Sequence, residues 1–207
     1  MPFEVYKIKD HKNNRKLVYL DEEAPAFCLY LKELKKYNIT EGSYISEKEY
    51  DEIISLLSKR ARERCLYLLE SMARTEKQLR DKLKEGYYPE EAIDFAIDYC
   101  KSKHYVDDRD YAERFITSRS RTLSKRAIEQ KLYLKGIRKE IIDEAFLINE
   151  PDESAVITEL LRKKYSDITG YSYEEKQKVI KKFLNKGFSY EAIKSAIISY
   201  SEKEQST

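Results

Sequence analysis

The chain has 207 residues, a net charge of only +2, 38% charged and 41% hydrophobic residues. This length allows one large or two small domains with a real core, and the few glycines and prolines favour helix over sheet. The charged fraction exceeds the ~25% of an ordinary domain. Because the net charge is nearly zero, overall charge does not mark the chain as a nucleic-acid binder, and any such surface has to come from local segregation of charge.

The cysteines and the apolar stretches bear on the compartment of the protein. Cys28, Cys65 and Cys100 are odd in number, far apart and surrounded by apolar residues. This pattern is typical of buried thiols in a reducing compartment rather than of disulfides or a metal site. The N-terminus lacks the apolar run of a signal peptide, and no stretch approaches the ~18 apolar residues of a membrane span. We therefore expect a soluble, cytoplasmic protein with no membrane partner.

Residues 1–45 predict a small α/β extension. Apolar and polar residues alternate over 3–9 and 16–20, and the polar stretch between them holds a possible turn at Asn13-Asn14. This is the pattern of a β-hairpin, which a third short strand near 26–29 and a short helix follow. A lone hairpin is only marginally stable, so the extension has to lean on other parts of the chain. The sequence leaves open whether it is docked or mobile.

From residue 46 onward the chain predicts three tandem units of three helices each. The expected boundaries are 46–104 for a connecting helix and the first unit, 105–150 for the second, and 151–207 for the third with a C-terminal tail. Repeats of this period usually stack, since none of them is stable alone. The predicted fold is therefore mainly α, with the three repeats in an elongated, curved array behind the β-containing extension.

Each unit repeats the same order of signals. An amphipathic helix, expected at about 58–72, 107–120 and 152–166, precedes a helix that starts at a capping Ser or Thr. A glycine then ends that second helix, and a third helix carries an Ala-apolar pair. The glycines are Gly86, Gly136 and Gly187, at spacings of 50 and 51 residues. A one-residue slip beside the first glycine accounts for a mismatch with the spacing of the alanines. Three unrelated helical hairpins remain the alternative.

The densest positive charge lies in the second unit, between residues 118 and 131. Its cations are Arg119, Arg121, Lys125, Arg126 and Lys131, and Glu129 is the one acid. The middle helices of the first and third units open with a capping box and an acid in the first turn, whereas the second opens with Lys125 and Arg126. Cations at a helix N-terminus cost a few tenths of a kcal/mol. Either this charge faces an anionic partner, or it pairs with acids of a neighbouring helix.

The sequence offers no catalytic constellation, cofactor motif or metal site. His11 and His104 are too few for a histidine-built metal site, and Asp107-Asp108 is better explained by helix capping. Five scattered glycines form no phosphate-binding loop, and the carboxylates alternate with cations at helical spacing, as on solvated faces. We therefore predict that the protein is not an enzyme.

The chain has eighteen tyrosines, an unusually high number. Most of them, including Tyr67, Tyr99 and Tyr111, fall on apolar helix faces, which favours a role in core packing. Tyr87 and Tyr88 precede Pro89 in a loop and are the better candidates for an exposed contact with a partner. Cations near aromatic rings also serve in binding single-stranded nucleic acid, but that interleaving is weak in this chain.

Several of these residues together resemble the signature of the RecX family of recombinase regulators. The second unit carries Tyr105-Val106-Asp107-Asp108, Tyr111-Ala112, Phe115, Arg119, Leu132 and Lys135-Gly136-Ile137. Arg74-Thr75 with Leu79 and Leu83 resembles the family's first repeat; Leu160-Leu161, Lys163-Lys164 and the stretch Phe183–Phe188 resemble its third. The likeness covers roughly residues 58–200. Val106 departs from it, because leucine is more usual there, and residues 1–45 are less specifically similar to the extension of longer members.

This resemblance implies a function without catalysis. Members of the family bind the RecA recombinase filament on single-stranded DNA and restrain strand exchange, ATP hydrolysis and the co-protease role of the filament. The resemblance implies no cofactor and assigns no single binding residue here, since the signature positions are largely structural; Arg119 could serve either purpose. We expect a monomer that contacts acidic RecA surface or DNA phosphate through the cations at 119–131. The rival hypothesis is a helical-repeat protein that binds single- or double-stranded DNA directly.

Overall fold

The periodicities of the sequence produce ten helices and five short strands in the computed structural model, which describes residues 2–21, 23–165, 168 and 170–204, with side chains as far as residue 200. The strands are β1 (Phe3–Glu4), β2 (Lys7–His11), β3 (Arg15–Tyr19), β4 (Phe27–Tyr30) and β5 (Tyr44–Ile45). The helices are α1 (Leu31–Lys36), α2 (Glu47–Ser71), α3 (Glu76–Lys84), α4 (Glu90–Ser102), α5 (Asp108–Arg119), α6 (Lys125–Leu134), α7 (Lys139–Ile148), α8 (Glu153–Lys164), α9 (Tyr173–Asn185) and α10 (Tyr190–Glu204).

The N-terminal extension contains the predicted hairpin, although its first strand differs from the prediction. Strands β2, β3 and β4 form an antiparallel sheet in that order. Asn13 and Asn14 take φ of 59° and 55° in the turn, as a tight type I′ hairpin requires. The stretch 3–9 is not one strand, because β1 pairs instead with β5 in a separate ladder. The chain changes partner at Val5, whose N–H donates to the carbonyl of Ser43 at 2.8 Å.

The extension is docked on the first repeat. One hydrophobic cluster contains Val18 and Phe27 of the sheet together with Ile53 of α2 and Leu79 of α3, all of them fully buried. The contact continues outside the core, where the rings of His11 and Tyr87 meet edge to face with 5.2 Å between their centroids. Residues 1–45 and the first repeat therefore bury their apolar surface together, in the compact unit Met1–Asp107.

The first repeat begins with a single long helix rather than two abutting ones. Helix α2 runs for 25 residues from a complete capping box at Ser46 and Glu49. It packs against α4, where Cys65 and Cys100 lie buried. A hydrogen bond with Cys100, together with burial, raises the pKa of the Cys65 thiol. All three cysteines are buried and free, which confirms the prediction of buried thiols.

The second and third repeats lie in the other compact unit, Asp108–Thr207. Each has its own core, because short helices gain most of their stability by packing an apolar face. Ala112, Ile116 and Ile128 belong to the core of the second repeat, while Ile157 and Phe183 belong to that of the third. The predicted end of the first helix of the third repeat at 166, and the tail residues 205–207, lie outside the described residues.

A left-handed residue follows the second helix of every repeat. Tyr87, Gly136 and Gly187 have φ of 59°, 86° and 87°, and they lie 49 and 51 residues apart. The predicted slip is therefore real, because Tyr87 rather than Gly86 is the equivalent of the other two glycines. Gly86 is constrained differently: a Cβ there would lie 2.9 Å from the ring of Tyr88. Its missing side chain leaves room for that ring.

Two glycines with positive φ, Gly187 in the turn of the third repeat and Gly42 in the N-terminal extension, differ in the space around them, and a pair of variants tests the effect of that space. Gly187→Ala places a Cβ 3.0 Å from Ser124 Oγ, whereas Gly42→Ala has φ of +77° and meets nothing within 4 Å. Both variants incur about 1–2 kcal/mol of left-handed strain, and Gly187→Ala adds about 1–3 kcal/mol of overpacking. We expect denaturant unfolding to show the larger loss for Gly187→Ala. Equal losses would mean that the neighbours of Gly187 relax freely.

Candidate partner-binding surface

The predicted basic segment runs from the end of α5 to the middle of α6, and Ser124 fixes its centre. Ser124 is the N-cap of α6 and is only 1% exposed. Its hydroxyl oxygen accepts the N–H of Ala127 at 3.2 Å, and the hydroxyl donates to the carbonyl of Lys186 at 2.8 Å. The start of the basic helix is thereby tied to the end of α9 in the third repeat.

Lys125 interacts with two acids at and just before the start of α8, as in the alternative that the cations of α6 pair with acids of a neighbouring helix. Its backbone N–H donates to Glu153 Oε1 at 2.7 Å, and its Nζ lies 3.2 Å from Glu150 Oε1. Glu153 Oε2 also accepts the N–H of Ser189 at 3.4 Å. One carboxylate thus serves the N-termini of α6 and α10. It replaces the acid that α6 lacks in its own first turn.

The other four cations of the segment have no such partner. Arg119, Arg121, Arg126 and Lys131 are all exposed and form no ion pair with any described residue. Lys125 also remains accessible, because the two side chains of its pair are 47% and 75% exposed. An ion pair so exposed to solvent is worth little. The segment therefore keeps most of its positive charge available to a partner.

These cations do not all lie on one face. An α-helix turns by about 100° per residue, so the five positions from Arg126 to Lys131 separate their directions by about 140°. The buried Ile128 and Leu132 mark the inward side of α6. Arg126 therefore lies on the outer face, close to the turn at Gly187, where a Cβ would be 3.4 Å from Arg126 Cβ. Lys131 lies to the side, so a partner reaches the two residues from different directions.

Arg119 belongs to a row of aromatic and cationic side chains. The rings of Tyr111 and Phe115 stack along α5 with centroids 6.3 Å apart. The guanidinium of Arg119 lies 5.8 Å from the Phe115 centroid, and Lys135 Nζ is 5.6 Å from both rings. Cation–π contacts at exposed sites contribute about 0.5–1 kcal/mol each. The contact with Phe115 favours this position of Arg119 and leaves its charge unneutralised.

The predicted exposed contacts at Tyr87 and Tyr88 lie in the first unit and are half-buried. Tyr88 packs against the core and lines a cleft beside the arginines 15, 60 and 64. Burial raises the pKa of the Tyr88 hydroxyl, and the nearby guanidiniums of Arg60, Arg15 and Arg64 act in the opposite direction. Both rings are only partly exposed, because Gly86 leaves space for Tyr88 and the ring of His11 contacts Tyr87, and their contact with a partner stays a prediction.

Core packing was the wrong explanation for many of the other tyrosines. Tyr99 and Tyr111 do pack against a core, but Tyr67 is 64% exposed. The exposed tyrosines are Tyr6, Tyr30, Tyr44, Tyr67, Tyr105, Tyr133, Tyr173 and Tyr190. Helical periodicity misplaces such residues because a ring at the edge of an apolar face is as easily turned to solvent as to the core.

Sequence reasoning missed a basic pocket in the third repeat. Its cavity of about 570 Å³ is lined by Lys164, Tyr165, Lys182, Phe183, Asn185 and Lys186. No acid lines it, and Lys182 and Lys186 lie 5.9 Å and 5.7 Å from the ring centroids of Tyr165 and Phe183. The three lysines come from the ends of α8 and α9, which are 18 to 22 residues apart in the chain. A local charge count therefore does not reveal the cluster.

Equivalent positions in the first and second repeats differ in their acidic residues. In the first repeat Lys77 pairs with Asp81 at 2.6 Å and Lys82 with Glu85 at 2.7 Å. The offset of 49 residues between the left-handed turns makes Arg126 and Lys131 the counterparts of these two lysines. The counterparts of their acids are Gln130 and Leu134. The second repeat thus keeps both cations without the acids that balance them in the first.

Within the described residues, no group of three or more His, Cys, Asp and Glu side chains is placed to hold a metal ion. None of the described helices combines the length and the apolar character needed to cross a membrane. The candidate sites described above are surfaces and clefts built from cations and aromatic rings.

Comparison with known proteins identifies the family. The chain matches the models of the first, second and third three-helix domains of RecX at residues 61–100, 107–145 and 152–197. It is 30% identical over 208 residues to the regulatory protein RecX of Clostridium botulinum strain Alaska E43, covering 93% of this chain and 94% of that one. The chain belongs to the RecX family.

Other RecX proteins agree over most of the length. The regulatory protein RecX of Caldanaerobacter subterraneus is 33% identical over 194 residues, covering 92% of this chain and 95% of its own. A crystal structure of regulatory protein RecX has a TM-score of 0.63 at 26% identity and covers 95% of this chain and 98% of its own. RecX from Lactobacillus salivarius shares the fold with a TM-score of 0.65, at 24% identity, over 71% of this chain and 98% of its own. The mainly helical fold with three three-helix repeats is thus confirmed.

Four apolar residues of the RecX signature in the second repeat are buried, as a structural role requires. Val106, Ala112, Leu132 and Ile137 are all between 0% and 5% exposed. Arg119 is exposed and lies beside the ring of Phe115, and the signature residues Tyr105 and Asp107 are exposed as well.

Ser124 and Ser172 are both N-cap serines in the compact unit Asp108–Thr207. A comparison of their alanine variants distinguishes the additional hydrogen bond of Ser124 from ordinary helix capping. Ser124→Ala removes a buried hydroxyl and leaves the Lys186 carbonyl without its donor, at a cost of about 1–3 kcal/mol beyond the lost cap. Ser172→Ala removes an exposed N-cap from α9 and costs about 1 kcal/mol. Denaturant unfolding should show the greater loss for Ser124→Ala. A smaller or equal loss would mean that water replaces the bond to Lys186.

Proposed function

We propose that this RecX protein binds the RecA recombinase filament on single-stranded DNA and restrains its activities, without catalysing a reaction itself. The activities restrained are strand exchange, ATP hydrolysis and the co-protease role of the filament in DNA repair, recombination and the SOS response. The protein acts as a cytoplasmic monomer. Binding alone is sufficient for such an effect, because a ligand that prefers one state of a filament shifts its population toward that state.

The family membership carries this proposal. The domain models match all three repeats, and curated relatives named regulatory protein RecX match over more than nine-tenths of the chain. Regulation implies a partner, and RecA is the partner that the family resemblance implies. The absence of a catalytic constellation in the sequence is consistent with regulation by binding.

The contact that we propose involves the cations of the second repeat. Arg119 and Arg126 are exposed and have no acidic partner among the described residues. Arginine forms bidentate hydrogen bonds to carboxylate and phosphate groups. The two guanidiniums therefore suit either an acidic surface of RecA or the phosphates of the DNA that the filament encloses.

A charge-reversed variant tests this placement. We expect Arg119→Glu/Arg126→Glu to bind preformed RecA–single-stranded DNA filaments at least tenfold more weakly than the wild type and to lose suppression of RecA ATPase. The physical reason is that carboxylates replace two donors that lack partners in the free protein. Binding is measured by co-sedimentation with the filaments, and ATP hydrolysis is measured on the same preparations.

Lys178→Glu/Lys181→Glu is the matched control, since it makes the same charge change at exposed positions of α9 outside both basic sites. It should bind and inhibit as the wild type does. If the arginine variant also did so while remaining folded, the placement of the contact in the second repeat would be wrong. A wild-type protein that failed to sediment with filaments would contradict the proposed function itself.

The pocket of the third repeat favours a second candidate function, direct binding of DNA. Three lysines with two aromatic rings and no lining acid provide the charge and the stacking surfaces that bind single strands. In this alternative the protein affects recombination through the DNA rather than through RecA. The helical repeats would serve as a scaffold for a basic surface.

The dependence of binding on salt separates the two functions. If DNA is the ligand, fluorescence anisotropy with a single-stranded oligonucleotide should detect binding without RecA. The logarithm of the affinity should then fall with the logarithm of salt concentration with a slope of about −0.7 per phosphate contact. Lys164→Glu/Lys182→Glu should reduce that slope by about two contacts. Binding only to assembled filaments at physiological salt would contradict this alternative.

A further inference from the structure

A cleft in the first unit lies outside the basic segment. It has a volume of about 640 Å³ and is lined by Arg15, Tyr30, Arg60, Arg64, Lys82 and Tyr88 among others. These residues come from strands β3 and β4, from α2, from α3 and from the loop that follows α3. The N-terminal extension and the first repeat thus form the cleft together. Its volume falls within the range of roughly 300–1,000 Å³ that is usual for ligand pockets.

The walls of the cleft hold their polar groups in place. Arg60 pairs with Glu33, which is 7% exposed, and its guanidinium lies 4.8 Å from the centroid of the Tyr30 ring. Tyr88 packs over Gly86, where any Cβ would approach its ring to 2.9 Å. A guanidinium and a ring that are fixed before binding lose little conformational entropy when a ligand arrives.

Two further guanidiniums in the cleft have no acidic partner among the described residues. Arg15 donates only to the backbone carbonyl of Lys12, at 3.4 Å. Arg64 lies 5.3 Å from the centroid of the Tyr67 ring. The charge of Arg60 is largely balanced by Glu33, and that of Lys82 by Glu85 at 2.7 Å. Arg15 and Arg64 are therefore the cations of the cleft that form no ion pair with a described residue.

The cleft also contains acids, and they narrow the choice of ligand. Glu63 and Glu85 line it beside the arginines. A nucleic-acid strand carries a negative charge at every phosphate, so its backbone would meet these carboxylates on leaving the arginines. A peptide can instead place one carboxylate on the guanidiniums and a neutral or basic residue beside Glu63. Mixed charge of this kind favours a protein segment, because complementary charges set specificity at protein interfaces.

We propose that the cleft binds a carboxylate-bearing peptide segment of the protein partner, with Arg15 and Arg64 as the donors to the carboxylate. This inference rests on the proposed function, in which that partner is RecA. It adds a second contact, in the first unit, to the cations of the second repeat. Two linked contacts raise the overall affinity, because the second binds at a high effective concentration once the first has formed.

The test is co-sedimentation with preformed RecA–single-stranded DNA filaments. We expect Arg15→Glu/Arg64→Glu to bind at least tenfold more weakly than the wild type, because carboxylates repel the proposed ligand. The matched control is Lys12→Glu/Lys59→Glu, which makes the same charge change in the same hairpin and the same helix at exposed positions that do not line the cleft. It should bind as the wild type does. Circular dichroism establishes that each variant is folded, and Arg64→Gln provides a milder substitution if the double variant is not.

The outcomes distinguish the cleft from the proposed function. If the wild type sediments with filaments and the cleft variants sediment equally well, the inference about the cleft is wrong while the proposed function stands. If the wild type does not sediment, the proposed function fails and the inference fails with it. If the control loses as much binding as the cleft variant, the loss is caused by the change in net charge rather than by the cleft, and the inference is also wrong.

Photo-cross-linking identifies the chemical class of the ligand without removing an arginine. The substitution Glu63→p-benzoylphenylalanine places the cross-linker in the wall of the cleft, and irradiation of the filament complex should link it to RecA. A cross-link to the DNA strand would show that the ligand is a phosphate group and not a peptide. The same conclusion would follow if the arginine variant lost as much binding to single-stranded DNA alone as to the filament.

Discussion

The left-handed turn after the second helix is the constraint on which every repeat depends. It reverses the chain so that a short second helix can share one core with the other two helices of its repeat, none of which is stable alone. Tyr87, Gly136 and Gly187 occupy this position with nearly the same positive φ. Tyrosine there costs about 1–2 kcal/mol of backbone strain that glycine avoids, and the edge-to-face contact with His11 is part of what opposes this cost. The exception thus lies where the extension docks on the first repeat.

Local signals made most of this fold predictable. Capping residues, the helical period and the spacing of the glycines act within a few residues, so the helix starts at Thr75, Ser124 and Ser172 could be assigned from the sequence. Contacts between distant residues could not. Nothing near Lys125 indicates that Glu153 accepts its N–H. The alternation over 3–9 is likewise compatible with one strand or with two, because the choice between partners is made by β5, some forty residues later.

The difficulty of predicting contacts between distant residues also explains which parts of the candidate sites the sequence revealed. The five cations of the basic segment are close in sequence and were found by counting, but their directions on α6 follow only from the position of the core. The pocket of the third repeat and the cleft of the first unit gather residues from separate elements. Their parts look like ordinary solvated charges in the sequence. The prediction of a partner contact at Tyr88 indicated part of the cleft, because Tyr88 lines it, although its ring is less exposed than expected.

Neutral residues in place of two acids, rather than additional cations, distinguish the second repeat from the first at these positions. Ion pairs like that of Lys82 and Glu85 contribute little to stability at the surface, so replacing Glu85 by its counterpart Leu134 costs the fold almost nothing. It does change the potential outside the helix, because Lys131 is left without the compensating charge. The third repeat follows the same course, with Lys182 and Asn185 at these positions. Lys82, Lys131 and Lys182 occupy equivalent positions on the second helices of the three repeats. The same fold can therefore present balanced charge in the first repeat and positive charge in the other two, while the net charge of the chain stays close to zero.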